Sequence, residues 1–166
     1  KKTPKSMEEL INDSNLTIVI QDPRTSTPGF GLLTWIKSLY KNDAQEKWKK
    51  LNNKVVAVTK GWTDSYYNIF LSGEADMVLS YTTSPAAHIM FDDNYNYSAL
   101  IFEEGNYLSI EYSGIVKNSQ NKILANKFLE YTLSKEFQSV IPNTNIMYPV
   151  INIENLPKAY EKIIKP

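Results

Sequence analysis

The sequence predicts an α/β domain whose central sheet is mixed but mostly parallel and is flanked by helices. Short apolar runs alternate along the chain with segments in which apolar residues recur at helical spacing, and this is the pattern of parallel strands joined by helices. Three of the strand-like runs are each followed by a polar loop and then by a helix. Because ligands in such sheets bind at the carboxyl ends of strands, these three loops are the candidates for a binding site.

The first strand, loop and helix lie near the start of the chain. Ser6 and Glu9 have the spacing of a capping box and predict a short helix before the apolar run 16–20, which predicts a buried strand. The loop 25–29 follows, and apolar residues at helical spacing come after it. Pro28 fits the first turn of that helix, where proline is tolerated.

The remaining elements follow from the same two periodicities. We expect helices around Ala44 to Leu51, from Thr63 to near Gly73, from Pro85, around 123–129 and behind Ser134. We expect strands at 55–58, 77–81, 98–102 and 107–116, the last two separated by a turn at 103–106 and forming a hairpin or another antiparallel pair. We find no internal repeat, so residues 1–166 are expected to form one domain with a single core.

Composition excludes several classes of function. The chain has 166 residues, with 18 Lys and Arg against 18 Asp and Glu, so it offers no overall cationic field for nucleic acid. It contains no cysteine and a single histidine, His88, which removes disulfides, thiolate nucleophiles and histidine clusters for metals. No apolar run approaches the ~20 residues that span a bilayer. We therefore expect no nucleic-acid partner. We also expect the protein to be a monomer.

The loop at 25–29 is the first candidate site. Ser26 and Thr27 lie at a predicted helix N-terminus, where unpaired backbone N–H groups and the positive end of the dipole attract an anion. The simpler interpretation is that one of these hydroxyls only caps the helix.

The second and third loops carry aromatic and hydroxyl side chains. Trp62 stands between a strand and a helix, where its indole can donate to an anion or stack on a cationic ring, unless it is an ordinary core residue. The third loop supplies four hydroxyls, or forms a plain turn: Tyr81, Thr82, Thr83 and Ser84. No serine here has a predictable base apart from distant His88, so binding is favoured over catalysis and we assign no catalytic residue.

Three segments together resemble one protein family. QDPRTSTPGFGLLTWIKSLY, TKGWTDSYYNIFLSGEADMVLSYTTSPAAH and IPNTNIMYPV resemble, in order and spacing, the second lobe of periplasmic thiamine-binding proteins, which have the type II periplasmic binding protein fold. The resemblance runs from about Thr3 to Pro166. It implies that the chain is the C-terminal lobe of a two-lobed solute-binding protein whose first lobe lies outside this sequence.

The resemblance also implies a ligand, a partner and a location. Thiamine, thiamine monophosphate or thiamine diphosphate would bind in an interlobe cleft and be delivered to the permease of an ABC importer, with no cofactor, no metal and no catalysis. The protein would be periplasmic or extracytoplasmic, either free or lipid-anchored. The residues that the family uses at the phosphate end correspond here to Ser26, Thr27, Trp62, Tyr81, Thr82, Thr83 and Ser84.

Two positions depart from the family pattern. Ala87 and Ile146 stand where the family often has an aromatic residue and a tryptophan that pack on the vitamin rings. Loss of two stacking faces leaves other ligands open, namely a small anion, another phosphorylated compound or a chelated metal ion. A hydrolase built on the same lobe, with His88 and Ser84 as its only candidates, is the alternative from another class.

Overall fold

The computed structural model describes residues 3–12 and 15–163 and has an α/β fold, as predicted. The chain divides into two compact units. The sheet unit contains Lys1–Tyr81 and Leu100–Ser109, and the helical unit contains Thr82–Ala99 and Ile110–Pro166. The expectation that residues 1–166 form one lobe stays a prediction. No helix of the described residues is long and apolar enough to cross a membrane.

The sheet of the sheet unit has three strands, all parallel, in the order β2-β1-β3. They are β1 (Ile18–Gln21), β2 (Val55–Thr59) and β3 (Met77–Val78). Every residue of the central β1 is buried, which is why Ile18, Val19 and Ile20 are all apolar rather than alternating with polar residues. Gln21 pairs with Thr59, so β1 and β2 end level with one another.

Helices cover this sheet and close its core. They are α1 (Met7–Asn12), α2 (Thr27–Tyr40), a 3₁₀ turn (Lys41–Asp43), α3 (Ala44–Asn52) and a π-helix (Asp64–Phe70). The capping box is confirmed: Ser6 Oγ accepts from Glu9 N at 3.0 Å, and the Glu9 carboxylate accepts from Lys5 N at 2.9 Å. Met7, Val19, Ile36 and Leu51 are almost completely buried.

The helical unit has α4 (Ser84–Asp92), α5 (Lys122–Thr132), α6 (Lys135–Gln138), α7 (Ile141–Thr144) and a 3₁₀ turn (Lys158–Glu161). Its core surrounds Tyr160, which is 1% exposed and whose hydroxyl donates to the carbonyl oxygens of Pro142 at 3.1 Å and Met147 at 3.4 Å. Ser134 Oγ caps α6 by accepting from Phe137 N, as its sequence position predicts.

Three strand predictions are wrong in part or whole. The strand predicted at 77–81 ends at Val78, and neither 98–102 nor 107–116 forms a strand. Asn106 instead ties the first of these segments into a turn, accepting from Phe102 N and donating to the Leu100 carbonyl. In the second, Tyr112 is 86% exposed. A segment rich in residues that favour β structure forms a strand only where a neighbouring strand offers backbone hydrogen bonds. Among the described residues, no strand pairs with either of these two segments.

Two helix predictions need smaller corrections. Thr63 precedes the π-helix but makes no side-chain capping bond. The apolar residues of α5 are exposed rather than packed inward, with Ile123 at 78% and Leu124 at 67%. The 3.6-residue period thus predicts the helix correctly but not the burial of its apolar face.

Candidate ligand-binding site

The turn after β1 begins the candidate site. Asp22 N donates to the Thr59 carbonyl at 2.8 Å, which continues the β1–β2 ladder. The Asp22 carbonyl then accepts from Thr25 N at 3.1 Å and Ser26 N at 3.0 Å. These bonds turn the chain sharply from the strand into α2, so that the helix begins at the carboxyl edge of the sheet.

An ion pair reinforces this turn from outside. The Arg24 guanidinium donates through Nε to Asp22 Oδ1 at 2.9 Å, and Arg24 N donates to the same oxygen at 2.9 Å. The hydrogen bonds from the Arg24 side chain and then from its backbone lower the pKa of Asp22 from 3.8 to about 2. Asp22 is therefore ionised throughout the physiological range.

The first turn of α2 has donors that the helix itself does not use. Ser26 is the N-cap by position, but its side chain makes no capping bond. The first backbone bond of the helix runs from Phe30 N to the Ser26 carbonyl at 3.0 Å, so the amides of the preceding turn have no partner within the helix. Thr27 is exposed beside them. The interpretation of Ser26 as a simple cap is not supported.

Gly29 allows this helix start to approach the strand end. A β-carbon at Gly29 would overlap the Gln21 carbonyl oxygen and lie 2.9 Å from the Asp22 carbonyl carbon. Both obstacles are backbone atoms, which cannot move aside as a flexible side chain would. The close contact of α2 with the end of β1 therefore requires glycine.

The second loop joins the first through one hydrogen bond. Thr25 Oγ1 donates to the Lys60 carbonyl at 2.7 Å, and Thr59 Oγ1 donates to the Gly61 carbonyl at 2.8 Å. The loops after β1 and β2 therefore meet at the carboxyl edge of the sheet.

Trp62 connects the second loop to the end of β3. Its indole Nε1 donates to Ser80 Oγ at 2.8 Å. Its ring stacks on Tyr66 with centroids 4.5 Å apart and 24° between the planes, and lies edge-on to Tyr67 at 5.7 Å. The Tyr81 ring is 6.5 Å away. The indole N–H of Trp62 therefore already has an acceptor.

Gln21 is a residue of this edge that sequence reasoning missed. It is 1% exposed, and its Nε2 lies 2.5 Å from Ser65 Oγ and 3.1 Å from the Leu79 carbonyl. Its Oε1 is buried without a hydrogen-bond partner. The available signal was a polar residue that ends a fully apolar strand, a position where an unpaired amide would be costly.

The third loop passes from the sheet unit at Tyr81 into the helical unit at Thr82. Thr83 is 3% exposed and its hydroxyl donates to Met147 Sδ at 3.7 Å, a weak bond to sulfur. Thr82 and Ser84 are half-buried, and α4 starts at Ser84 with Pro85 in its first turn, as predicted.

The structure thus brings together four of the seven predicted residues within the sheet unit. Ser26 and Thr27 border the loop that Thr25 ties to Lys60, and Trp62 lies against Tyr81. Thr82, Thr83 and Ser84 lie together at the start of α4. Contact of one ligand with all seven stays a prediction. Among residues 3–12 and 15–163 no cluster of three or more His, Cys, Asp or Glu side chains is suited to a metal ion.

The sequence matches the family described as bacterial extracellular solute-binding protein over residues 1–163. The chain belongs to this family. A thiamine-binding periplasmic protein of Escherichia coli strain K12 is 49% identical over the whole chain, which covers 50% of that relative. One from Haemophilus influenzae is 44% identical over 93% of the chain and 46% of the relative. This chain therefore spans about half the length of these relatives.

Solved structures agree with this membership. A structure titled periplasmic thiamin binding protein superposes with a TM-score of 0.94 and 49% identity, over 99% of this chain and 52% of that one. The structure of an ABC transporter protein from Clostridium perfringens matches with a TM-score of 0.66 and 22% identity, over 99% of this chain and 54% of that one. The second match supports the fold alone.

The two departures from the family pattern both lie in the helical unit. Ala87 is half-buried on α4. Ile146 packs against the Tyr160 core with φ at +53°, a left-handed conformation that is strained for a β-branched residue. Nearby in sequence, the Tyr148 hydroxyl is buried without a partner, and burial raises the pKa of Tyr148 above 10.0.

Proposed function

We propose that the full-length protein containing this chain is an extracytoplasmic solute-binding protein that carries thiamine or a thiamine phosphate to an ABC importer. The observation that carries the proposal is the first turn of α2, where the Ser26 side chain makes no capping bond and the backbone N–H groups have no partner within the helix. Relatives named as thiamine-binding periplasmic proteins, at 44–49% identity, support the ligand class.

The sheet edge offers two kinds of recognition side by side. The α2 N-terminus, with Ser26 and Thr27, suits a phosphate because it combines amide donors, hydroxyls and the positive end of the helix dipole. The rings of Trp62, Tyr67 and Tyr81 suit a cationic aromatic ring, since indole and phenol faces attract cations and stack on rings. The buried Tyr66 supports Trp62 from below. A thiamine phosphate carries both groups.

The wider role of the protein follows from this assignment. The first lobe would form the opposite wall of the site, and the loaded monomer would dock on the permease from the periplasmic side, free or lipid-anchored. The protein would use no cofactor and catalyse no reaction. The hydroxyls of Ser84 and Ser26 would bind the ligand rather than attack it.

Calorimetry of the purified full-length protein tests the proposal. Thiamine, thiamine monophosphate and thiamine diphosphate are each titrated, with inorganic phosphate as the control for the anion site alone. We expect saturable binding of the vitamin compounds and much weaker binding of phosphate. Equal affinity for inorganic phosphate and thiamine phosphate would contradict ring recognition, and release of phosphate from the diphosphate would favour the hydrolase.

A second candidate keeps the scaffold and changes the ligand to another phosphorylated compound or small anion. It is supported by Ala87 and Ile146, which carry no aromatic ring, together with Ser26, whose side chain makes no capping bond at the start of α2. Native mass spectrometry of the protein as isolated distinguishes the two candidates, because a bound thiamine compound has a defined mass.

A further inference from the structure

We propose that Gln21 is a positioning residue that fixes Trp62 and the end of β3 for ligand recognition. The inference deepens the proposed function and rests on it for the effect on affinity, but its structural part concerns the protein without ligand. No direct contact of Gln21 with the ligand is needed, since its side chain is almost completely buried.

Four hydrogen bonds link four side chains and two backbone carbonyls into a circuit that the backbone closes. Gln21 Nε2 donates to Ser65 Oγ, and Ser65 Oγ donates to the Trp62 carbonyl at 2.8 Å. The Trp62 indole donates to Ser80 Oγ at 2.8 Å. Leu79, the residue before Ser80, returns the circuit to Gln21 through its carbonyl at 3.1 Å. The circuit therefore joins β1, the π-helix start and the end of β3.

The orientation of the Gln21 amide follows from its partners. The Leu79 carbonyl accepts only, and the Ser65 hydroxyl proton is already given to Trp62. Both groups facing Gln21 therefore need a donor, and only the NH₂ group has two protons. A flipped amide would place an oxygen against the Leu79 carbonyl and leave both acceptors unsatisfied.

Burial makes these bonds effective. Gln21 is 1% exposed and Ser65 is 0% exposed, so water does not compete for the partners, and a hydrogen bond in a low-dielectric interior is stronger. Trp62 itself is only half-buried. A rigid buried circuit thus holds a ring that solvent and ligand can reach.

The consequence for recognition concerns the cluster around Trp62. Its ring position sets the stack on Tyr66 and the distance to Tyr81, the residue that follows Ser80. If the circuit opens at Ser65, the Trp62 backbone carbonyl loses the hydroxyl that anchors it. If it opens at Gln21, the Leu79 carbonyl loses its bond to the Gln21 amide, although Leu79 N still donates to the Val19 carbonyl of β1 at 3.1 Å. The aromatic faces then lose the preorganisation that binding a ring requires.

The indole N–H resonance of Trp62 in the full-length protein provides the test. It is assigned by its loss in Trp62→Phe, and Trp35 and Trp48 act as controls in the same molecule. Gln21→Met keeps the side-chain length but removes both donors, and Ser65→Ala opens the circuit at its middle. Ile36→Val, a mild change in a core residue that is 1% exposed, is the matched control for a purely structural loss.

We expect Gln21→Met and Ser65→Ala to shift the Trp62 resonance while the Trp35 and Trp48 resonances stay unchanged. Each variant should weaken binding of thiamine monophosphate by about two- to tenfold, the equivalent of one net hydrogen bond. The double variant should lose no more affinity for thiamine monophosphate than the weaker-binding single variant does, because one broken bond already opens the circuit. Ile36→Val should lower the melting temperature without moving the resonance or the affinity.

Several results would overturn the inference. An unmoved Trp62 resonance in both single variants would show that the circuit does not position the ring, whether or not the protein binds thiamine. A shifted Trp62 resonance with unchanged affinity would show that the position of the Trp62 ring is irrelevant to binding. If the fold-losses in affinity of the two single variants multiply in the double variant, Gln21 and Ser65 act independently and not through one circuit. If the unaltered protein binds no thiamine compound, the proposed function fails, and the resonance still decides whether Gln21 positions Trp62. Should Gln21→Met not fold, Ser65→Ala alone decides.

Discussion

The Thr25 hydroxyl lies 2.7 Å from the Lys60 carbonyl oxygen and donates to it, which joins the loop after β1 to the loop after β2. The two residues are separated by 35 positions in sequence, and they meet only because parallel β1 and β2 end level with one another. The N-terminus of α2 therefore lies next to a second loop, which this hydrogen bond holds in place.

Replacing Ser26 by alanine should weaken binding of thiamine monophosphate by about 1 to 3 kcal/mol, the range for a hydrogen bond to a charged oxygen. Stability should hardly change, because the Ser26 hydroxyl makes no capping bond. Calorimetry and thermal melting of the full-length protein measure the two effects.

Ser134→Ala is the matched control, since Ser134 Oγ does cap its helix by accepting from Phe137 N at 3.2 Å. That variant should lose about 1 kcal/mol of stability and keep its affinity. A Ser26→Ala variant that loses stability but binds normally would assign Ser26 to capping instead.

Replacing Gly29 by alanine should displace the start of α2 and abolish tight phosphate binding. The new β-carbon would meet backbone atoms of Gln21 and Asp22, and overpacking of this kind typically costs about 1–3 kcal/mol. Gly114→Ala is the control, because nothing lies within 4 Å of the position that a β-carbon would take there. Unchanged melting temperature and affinity in Gly29→Ala would mean that α2 can move away from β1 without consequence.

Titration of Asp22 should follow the ion pair with Arg24. The pKa of Asp22 is lowered from 3.8 to about 2, so its stabilising contribution is present above about pH 4 and is lost as the pH falls through about 2. Arg24→Gln should raise this pKa toward 3.8 without reaching it, because the Arg24 backbone N–H still donates to Asp22.

Carboxyl ¹³C chemical shifts recorded against pH measure this pKa. Glu46 is the internal control, because its pKa is lowered chiefly by its hydrogen bond to Lys50 and should not respond to Arg24→Gln. An Asp22 pKa that stays near its value of about 2 in the variant would assign the shift to the backbone instead of the guanidinium.

Local features of this chain could be predicted from sequence, and contacts between distant segments could not. Ser6 and Ser134 cap helices as predicted because a cap depends on residues three positions apart. The three strand-end loops were found for a similar reason, since each follows its own strand. The Gln21 bond to Ser65 spans 44 positions, and no periodicity marks such a pair.

The strand predictions at 98–102 and 107–116 were wrong because strand formation, too, depends on contacts between distant segments. Their residues favour extended structure, but a strand also needs ladder bonds from another segment, and sequence alone does not show whether that segment is present. Asn106 satisfies the backbone around Phe102 with its side chain instead. For the candidate site, the sequence motifs predicted which residues lie near the ends of β1 and β2. Only the structure shows that the Trp62 indole N–H is already bonded to Ser80 Oγ.

The last prediction concerns Ala87 and Ile146, where the family pattern has aromatic residues. The Ser26 side chain makes no capping bond at the start of α2, whereas residues 87 and 146 carry no ring. If Ser26 binds the phosphate as proposed, the full-length protein should prefer thiamine monophosphate over free thiamine. Ala87→Tyr and Ile146→Trp together should raise the affinity for free thiamine more than the affinity for thiamine monophosphate. Each restored ring contributes about 0.5–1.5 kcal/mol of stacking on the vitamin rings, which both compounds share. Thiamine monophosphate is already anchored by its phosphate, so it gains less.

The backbone at Ile146 affects the stability of this variant. Its φ of +53° is unfavourable for a β-branched or a bulky side chain, and Ile146 packs against the Tyr160 core, so tryptophan relieves no strain there. Ile146→Trp should therefore raise the affinity while lowering the melting temperature. Ala87→Leu and Ile146→Val are the controls, because they change volume without adding a ring. Calorimetry with both ligands decides the matter: equal affinities for the two compounds before substitution, or equal gains from the aromatic pair and the aliphatic controls, would show that ring stacking at 87 and 146 does not set the ligand preference.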